Sequence, residues 1–210
     1  MTIKHIWFDM AGTLYEETTA FHVLHDEFRY STYAKLKGIS DLDRARREYL
    51  ELYKQYGSNS AVFTSLGKPT DFWMKSFETL DIGSALIPDT VVVDTLRVLK
   101  ERLPISIFTN YTQGQIIEIL AHLDIPSDWF TFLLSGDDVA ERKPGLDGFR
   151  QMVARSGVPA HETMYVGDRL DVDIKPALTV GMQTCLLRDS SQLADYCIES
   201  LDQLIGILKP

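Results

Sequence analysis

Ile3-Lys4-His5-Ile6-Trp7-Phe8-Asp9-Met10-Ala11-Gly12-Thr13-Leu14 carries the strongest single signal in the chain. The apolar run beginning at Ile3 has the length of a buried strand. It ends at an acid followed within two residues by Ala11-Gly12-Thr13, where the backbone must turn. Asp9 is therefore expected at a strand's C-terminal end. In open parallel α/β sheets ligands gather at that end, so a carboxylate there is poorly placed for packing and well placed for chemistry. Gly12 lets the backbone leave the strand tightly, and Thr13 offers a hydroxyl and an amide to whatever Asp9 engages.

A chain of 210 residues with 45% hydrophobic content can bury a full α/β core and leaves room for one modest accessory domain. The formal net charge of -9 and the pI near 5.0 argue against nucleic acid or an anionic membrane as partner. A phosphate-bearing ligand would then need local cations. Cys185 and Cys197 lie in or beside apolar runs without metal-ligand spacing and are expected to be buried, reduced thiols. No apolar stretch reaches about 18 residues, and the N-terminus enters a strand without the basic and apolar regions of a signal peptide. A cytoplasmic protein with no membrane partner is the expectation.

From Leu14 to about Leu86 the spacing is helical, with segments around 20–36, 42–56 and 70–80 broken at Gly38, Gly57 and Gly67-Lys68-Pro69. More than half of the aromatic residues fall here, as suits a small helical bundle stabilised by large side chains. Beyond Pro88 the pattern alternates. A helix capped by Asp89 or Thr90 runs to about Arg102, followed by the strand 105–108 ending in Thr109-Asn110 and a helix over 113–123. A short strand over 130–134 follows, ending at Ser135-Gly136. Arg142-Lys143-Pro144 introduces a helix over 146–156, with the proline expected in its first turn. The strand 164–166 ends in Gly167-Asp168, and after it come a helix near 173–180, the strand 183–187 and a helix over 201–208. This alternation predicts an α/β fold built on a doubly wound parallel sheet.

Asp9-Met10-Ala11-Gly12-Thr13, Phe108-Thr109-Asn110, Lys143-Pro144 and Gly167-Asp168-Arg169-Leu170-Asp171-Val172-Asp173 resemble, in order and spacing, the four signatures of the haloacid dehalogenase-like (HAD) hydrolases. The resemblance implies a Rossmann-like core over residues 1–14 and 87–210 and an inserted helical cap over 15–86. It also implies a Mg²⁺-dependent phosphatase for a small phosphorylated substrate. Asp9 would be a covalent nucleophile that passes through an aspartyl phosphate. Asp9, the Ala11 backbone carbonyl, Asp168 and Asp173 would form the metal site, Asp173 through water or from behind the direct ligands. Lys143 would neutralise the carboxylates and a phosphoryl oxygen, to which Thr109 and the Asn110 amide would donate. This assignment agrees with what phosphoryl transfer requires: an in-line nucleophile, and compensation for charge on the equatorial oxygens.

One residue departs from the pattern. Where phosphatases of the family carry a second Asp as general acid and base, this chain has Ala11. Two other readings therefore stand beside the phosphatase: phosphonoacetaldehyde-hydrolase-like cleavage of a phosphonate, with Lys54 as candidate Schiff-base lysine, and a non-catalytic metal- or phosphate-binding protein. Asp171 reads as an exposed acid at a helix start, His22 and His25 as surface or core histidines, and Arg29, Arg44, Arg46 and Arg47 as a solvated helix face.

Overall fold

In the computed structural model of the chain, which describes residues 2–208, the alternation resolves into a six-stranded parallel sheet. Met1, Lys209 and Pro210, at the outer ends of the expected core, lie outside the described residues. The chain divides into two compact units, the described parts of Met1–Glu17 with Leu86–Pro210, and Thr18–Ala85.

In the first unit the strands are β1 (His5–Phe8), β2 (Ile105–Phe108), β3 (Leu133–Leu134), β4 (Thr163–Gly167), β5 (Gln183–Leu187) and β6 (Tyr196–Ile198), in the order β3-β2-β1-β4-β5-β6. Every neighbouring pair is parallel. This is the doubly wound order, with the reversal of direction between β1 and β4. Every residue of β1, β2 and β4 is buried, which explains their near-continuous apolar runs: central parallel strands are covered on both faces.

The helices of this unit are α5 (Thr90–Lys100), α6 (Gln113–His122), α7 (Leu146–Ser156), α8 (Lys175–Thr179) and α9 (Leu204–Ile207). Asp89 caps α5 through the Val91 amide at 2.8 Å, and Thr112 with Gln115 forms a reciprocal capping box on α6. One cluster of the core gathers Trp7, Phe108, Phe149, Met152 and Tyr165. Phe149 meets Phe108 and Tyr165 edge-on at centroid distances of 5.4 and 5.2 Å. A Cβ on Gly148 would strike the Phe108 ring, so α7 approaches β2 this closely only through a glycine.

The second unit contains α1 (Thr19–Lys37), α2 (Leu42–Tyr56), α3 (Asn59–Ser65) and α4 (Phe72–Phe77). Its interior is aromatic: Tyr49 meets Tyr30 and Tyr33, each at 5.6 Å, and Phe63 stacks on Trp73 at 5.5 Å. His25 packs against Phe21, Trp73 and Phe77, and burial lowers its pKa to about 4. Arg29 departs from the expected solvated face. Its guanidinium lies 4.9 Å from the Tyr30 ring centroid and pairs with Asp26 at 2.7 Å.

Several local expectations are corrected. Of the expected strand 130–134 only Leu133–Leu134 is a regular strand, although Thr131 already donates to Ile105 of β2 at 2.8 Å and Phe132 accepts from Ile107 at 2.9 Å. Pro144 precedes α7, which begins at Leu146 with Gly145 as its cap. The last helix is split into a 3₁₀ turn, Leu201–Gln203, and α9. Cys185 is buried, but Cys197 on β6 is exposed. Among the described residues no helix is long and apolar enough to cross a membrane.

Phe149→Ala removes the ring that joins Phe108 to Tyr165 and is expected to cost about 3–5 kcal/mol of stability. Urea unfolding followed through the buried Trp7 measures it. A loss below about 1 kcal/mol would mean that α7 and the sheet do not share this core.

Candidate active site

The register of the sheet assembles the site. Phe8 is aligned with Ile107 of β2 and with Val166 of β4, so the residues just beyond these strands emerge together at one sheet edge. The Asp9 amide extends the ladder by donating to the Val166 carbonyl at 2.9 Å, and the Thr109 amide donates to Leu134 at 3.2 Å. Asp9, Thr109 and Asp168 thus follow β1, β2 and β4 across the reversal of strand order, the expected crevice of such a sheet.

Two local devices complete the approach. Gly12 has φ +73°, and a Cβ there would run into the Asp168 carboxyl group. Only glycine meets both constraints. After Asp168 the chain forms a π-helical turn, Leu170–Ile174, in which the Asp173 and Ile174 amides both donate to the Arg169 carbonyl, at 2.9 and 3.3 Å. Such widened turns are rare and are frequently found at functional sites. This one buries Asp173 completely and leaves Asp171 exposed, bound to Lys175 at 2.5 Å.

Asp9, Asp168 and Asp173 each offer an oxygen within 4.8 Å of the other two. The Lys143 ammonium lies among them, 2.8 Å from Asp9 Oδ1, 2.7 Å from Asp173 Oδ1 and 2.8 Å from the Tyr165 hydroxyl. The Lys143 side chain is 1% exposed and that of Asp9 3%. Burial raises the Asp9 pKa to about 6; Lys143 pulls it down, and Asp173 adds to the rise. Asp168 is also raised, by burial first and then by the charge of Asp173. Burial thus outweighs the attraction of Lys143 at Asp9, and that of Arg169 and Lys143 at Asp168.

Two buried oxygens, Thr13 Oγ1 and Asp168 Oδ1, make no hydrogen bond within the protein. Unpartnered buried acceptors beside two further carboxylates fit a hard divalent cation, whose preferred ligands are oxygens. Asp9, Asp168 and Asp173 are thus able to hold one. Ala11 enters the turn through an isolated bridge with Tyr15, and its methyl group offers no proton.

The remaining expected residues occupy defined places. Thr109 is buried, and its hydroxyl accepts the Tyr111 amide at 3.4 Å, which leaves its own proton available to donate. The Asn110 side chain grips the Lys143 peptide, accepting its N–H at 2.7 Å and donating to its carbonyl at 3.0 Å. Lys54 lies on α2, its side chain 72% exposed and paired with Glu51 at 2.6 Å. It lacks the burial that would desolvate and so activate a Schiff-base lysine.

Two residues of the site had not been singled out from the sequence. Tyr165 lies within β4 and faces the Lys143 ammonium. Arg188, with φ +58°, donates from its guanidinium to the Gly12 carbonyl and stands 3.5 Å from Glu16. Gly12, Glu16, Glu17, Asp168, Leu187 and Arg188 line a cavity of about 400 Å³. The sequence marks Tyr165 only as a strand residue two positions before Gly167, which by itself does not point to a role in the site.

The family described as haloacid dehalogenase-like hydrolase matches residues 3–181. A glyceraldehyde 3-phosphate phosphatase of Methanocaldococcus jannaschii is 30% identical over 99% of this chain and 97% of its own length. A protein of the same name from Pyrococcus furiosus is 27% identical over 99% and 93%. The crystal structure of a HAD phosphatase from Thermococcus onnurineus shares the fold with a TM-score of 0.77, at 24% identity and 98% coverage of both chains. With the family match spanning both sides of the sheet's strand reversal and the whole-length relative at this identity, the chain belongs to the haloacid dehalogenase-like hydrolases.

Proposed function

We propose that the chain is a Mg²⁺-dependent phosphatase of a small phosphorylated metabolite, with Asp9 as the covalent nucleophile. The observation that carries this reading is the cluster of buried Asp9, Lys143 and Asp173 with half-buried Asp168 at the strand reversal of the sheet. The names of the full-length relatives from M. jannaschii and P. furiosus support it and make glyceraldehyde 3-phosphate the first substrate to assay. Residues 15–86 are read as the cap domain, on which the family's specificity is carried.

On this reading Asp9 attacks phosphorus in line. A bond forms between an Asp9 oxygen and phosphorus while the bond to the ester oxygen breaks, its electron pair leaving with that oxygen. Water then attacks the aspartyl phosphate, releasing inorganic phosphate and returning the carboxylate. Asp9, the Ala11 carbonyl, Asp168 and, less directly, Asp173 would hold Mg²⁺, which would supply neutralisation of phosphoryl charge. Lys143 holds Asp9 ionised, and Thr109 with the Asn110 amide donates to the phosphoryl oxygens. Ala11 supplies no acid, so the leaving oxygen takes its proton from water or departs as a stable anion.

Asp9→Asn is expected to abolish hydrolysis of glyceraldehyde 3-phosphate and p-nitrophenyl phosphate while leaving the circular dichroism spectrum unchanged, an amide being a far poorer nucleophile. Undiminished turnover in the folded variant would remove Asp9 from that role.

Mg²⁺ is expected to raise the melting temperature of the wild type by mass action, and Asp168→Ala to lose most of that rise. Protons compete for the same oxygens, so the Mg²⁺-dependent increment should shrink as pH falls through about 6, where Asp9 takes up its proton. An equal increment in the wild type and Asp168→Ala would place the ion elsewhere.

Ala11→Asp introduces a carboxyl group able to act as acid and then base. Turnover of alkyl phosphates is expected to rise about ten-fold or more, with a smaller gain for acyl phosphates, whose leaving groups need little protonation. A uniform loss across both classes, measured as kcat/KM, would show that the turn excludes a carboxylate.

A further inference from the structure

Tyr165 lies outside every motif that points to the site, yet its hydroxyl stands where three elements meet. The side chain is completely buried. Its oxygen is 2.8 Å from Lys143 Nζ, 3.1 Å from the carbonyl oxygen of Phe108 at the end of β2, and 3.4 Å from Asp173 Oδ1. The directions of these bonds follow from the groups involved. An ammonium only donates, so the phenol accepts from Lys143. Its single proton goes to the nearer of the two acceptors, the Phe108 carbonyl. Burial holds the phenol well above its ordinary pKa, so the proton stays in place.

The ammonium has three protons, and the structure supplies three acceptors: Asp9 Oδ1, Asp173 Oδ1 and the Tyr165 hydroxyl. The two carboxylates define a line; the hydroxyl, tied to the end of β2, defines the third direction. Without it one buried N–H would lose its acceptor, a costly state, and the group could turn about its Cε–Nζ bond or settle on one carboxylate. The far end of Lys143 is already fixed, because the Asn110 side chain grips its peptide. Tyr165 does at the ammonium what Asn110 does at the backbone.

We propose that Tyr165 is a positioning residue for the hydrolytic reaction: its hydroxyl fixes the Lys143 ammonium between Asp9 and Asp173 by accepting the proton that neither carboxylate takes. The proposal rests on the reading above, in which Lys143 and Asp9 serve phosphoryl transfer. It acts through Lys143, since an Asp9 carboxylate turned away from its line of attack loses rate steeply with displacement.

Tyr165→Phe keeps the ring that packs on Phe149 and removes only the oxygen. With p-nitrophenyl phosphate and Mg²⁺, kcat is expected to fall about ten-fold or more, as for the loss of groups that orient direct ligands. KM should change far less, and the Mg²⁺-dependent rise in melting temperature should remain. In protein labelled with ¹⁵N-lysine, the Lys143 ammonium of the wild type should give a slowly exchanging ¹H–¹⁵N signal with a cross-peak to the Tyr165 hydroxyl. That signal should broaden or vanish in the variant. An unchanged kcat in folded Tyr165→Phe overturns the proposal, as does a loss of kcat accompanied by loss of the Mg²⁺ response. If Tyr165→Phe does not fold, the wild-type spectrum decides, and absence of the cross-peak overturns the proposal. A wild type that hydrolyses no phosphate ester strikes the phosphatase reading instead, while the cross-peak still tests the position of the ammonium.

Discussion

The site is governed by a balance of charges, most of them on buried side chains. Asp9, Asp168 and Asp173 are brought within reach of one another, and Lys143 is the cation bonded among them. Three carboxylates face one bonded ammonium, and the Arg169 guanidinium acts on them through its charge, so net negative charge remains for a divalent cation to meet. Taking such groups out of water costs several kcal/mol per ion after relaxation. The cluster persists only because each member is held by further bonds, and where that support is thinnest the strain shows. Asp9 is pushed to a pKa of about 6, and one oxygen of Asp168 has no hydrogen-bonding partner in the protein.

The parallel sheet supplies that support. Its strand reversal brings the ends of β1 and β4 side by side, with β2 on the other flank of β1. Each strand end then contributes one polar group without a long loop, and the aromatic cluster beneath keeps the edge rigid. The π-helical turn after Asp168 adds a fourth contributor, turning Asp173 inward under Lys143 while its amide end remains tied to Arg169. Precision in the site is thus a property of backbone pairing, and the side chains inherit it.

The same division explains what the amino-acid order disclosed. Asp9, Thr109 and Asp168 were legible because each is a polar residue that halts an apolar strand, a local signal. Lys143 and Asp173 were legible only through the spacing of the family's signatures. Tyr165 and Arg188 were not, because their roles depend on partners distant in sequence: Phe108 is 57 residues from Tyr165, and Gly12 is 176 from Arg188. The grip of the Asn110 side chain on Lys143, 33 residues away, was hidden for the same reason. Among elements, β6 escaped because it has three residues and buries only one, too few for any alternation to register. Helix α3 escaped for a similar reason. Val62 and Phe63 are its buried residues, adjacent in sequence, and no i to i+4 spacing appears over seven positions.

Ala11 divides the requirements of the proposed chemistry into those the backbone meets and those it cannot. The turn through Gly12 is set by a positive φ and by contact with Asp168, and neither depends on the side chain at position 11. A carbonyl there remains a possible metal ligand whatever the side chain. Proton transfer is the one function that the backbone does not replace, and general acid or base assistance contributes about 10² to 10⁴ in rate. A methyl group at this point therefore leaves binding and nucleophilic attack intact in principle while taxing every leaving group that needs a proton. The phosphatase reading consequently favours substrates by the stability of the oxyanion they release, a selectivity set in the core before any specificity carried by residues 15–86.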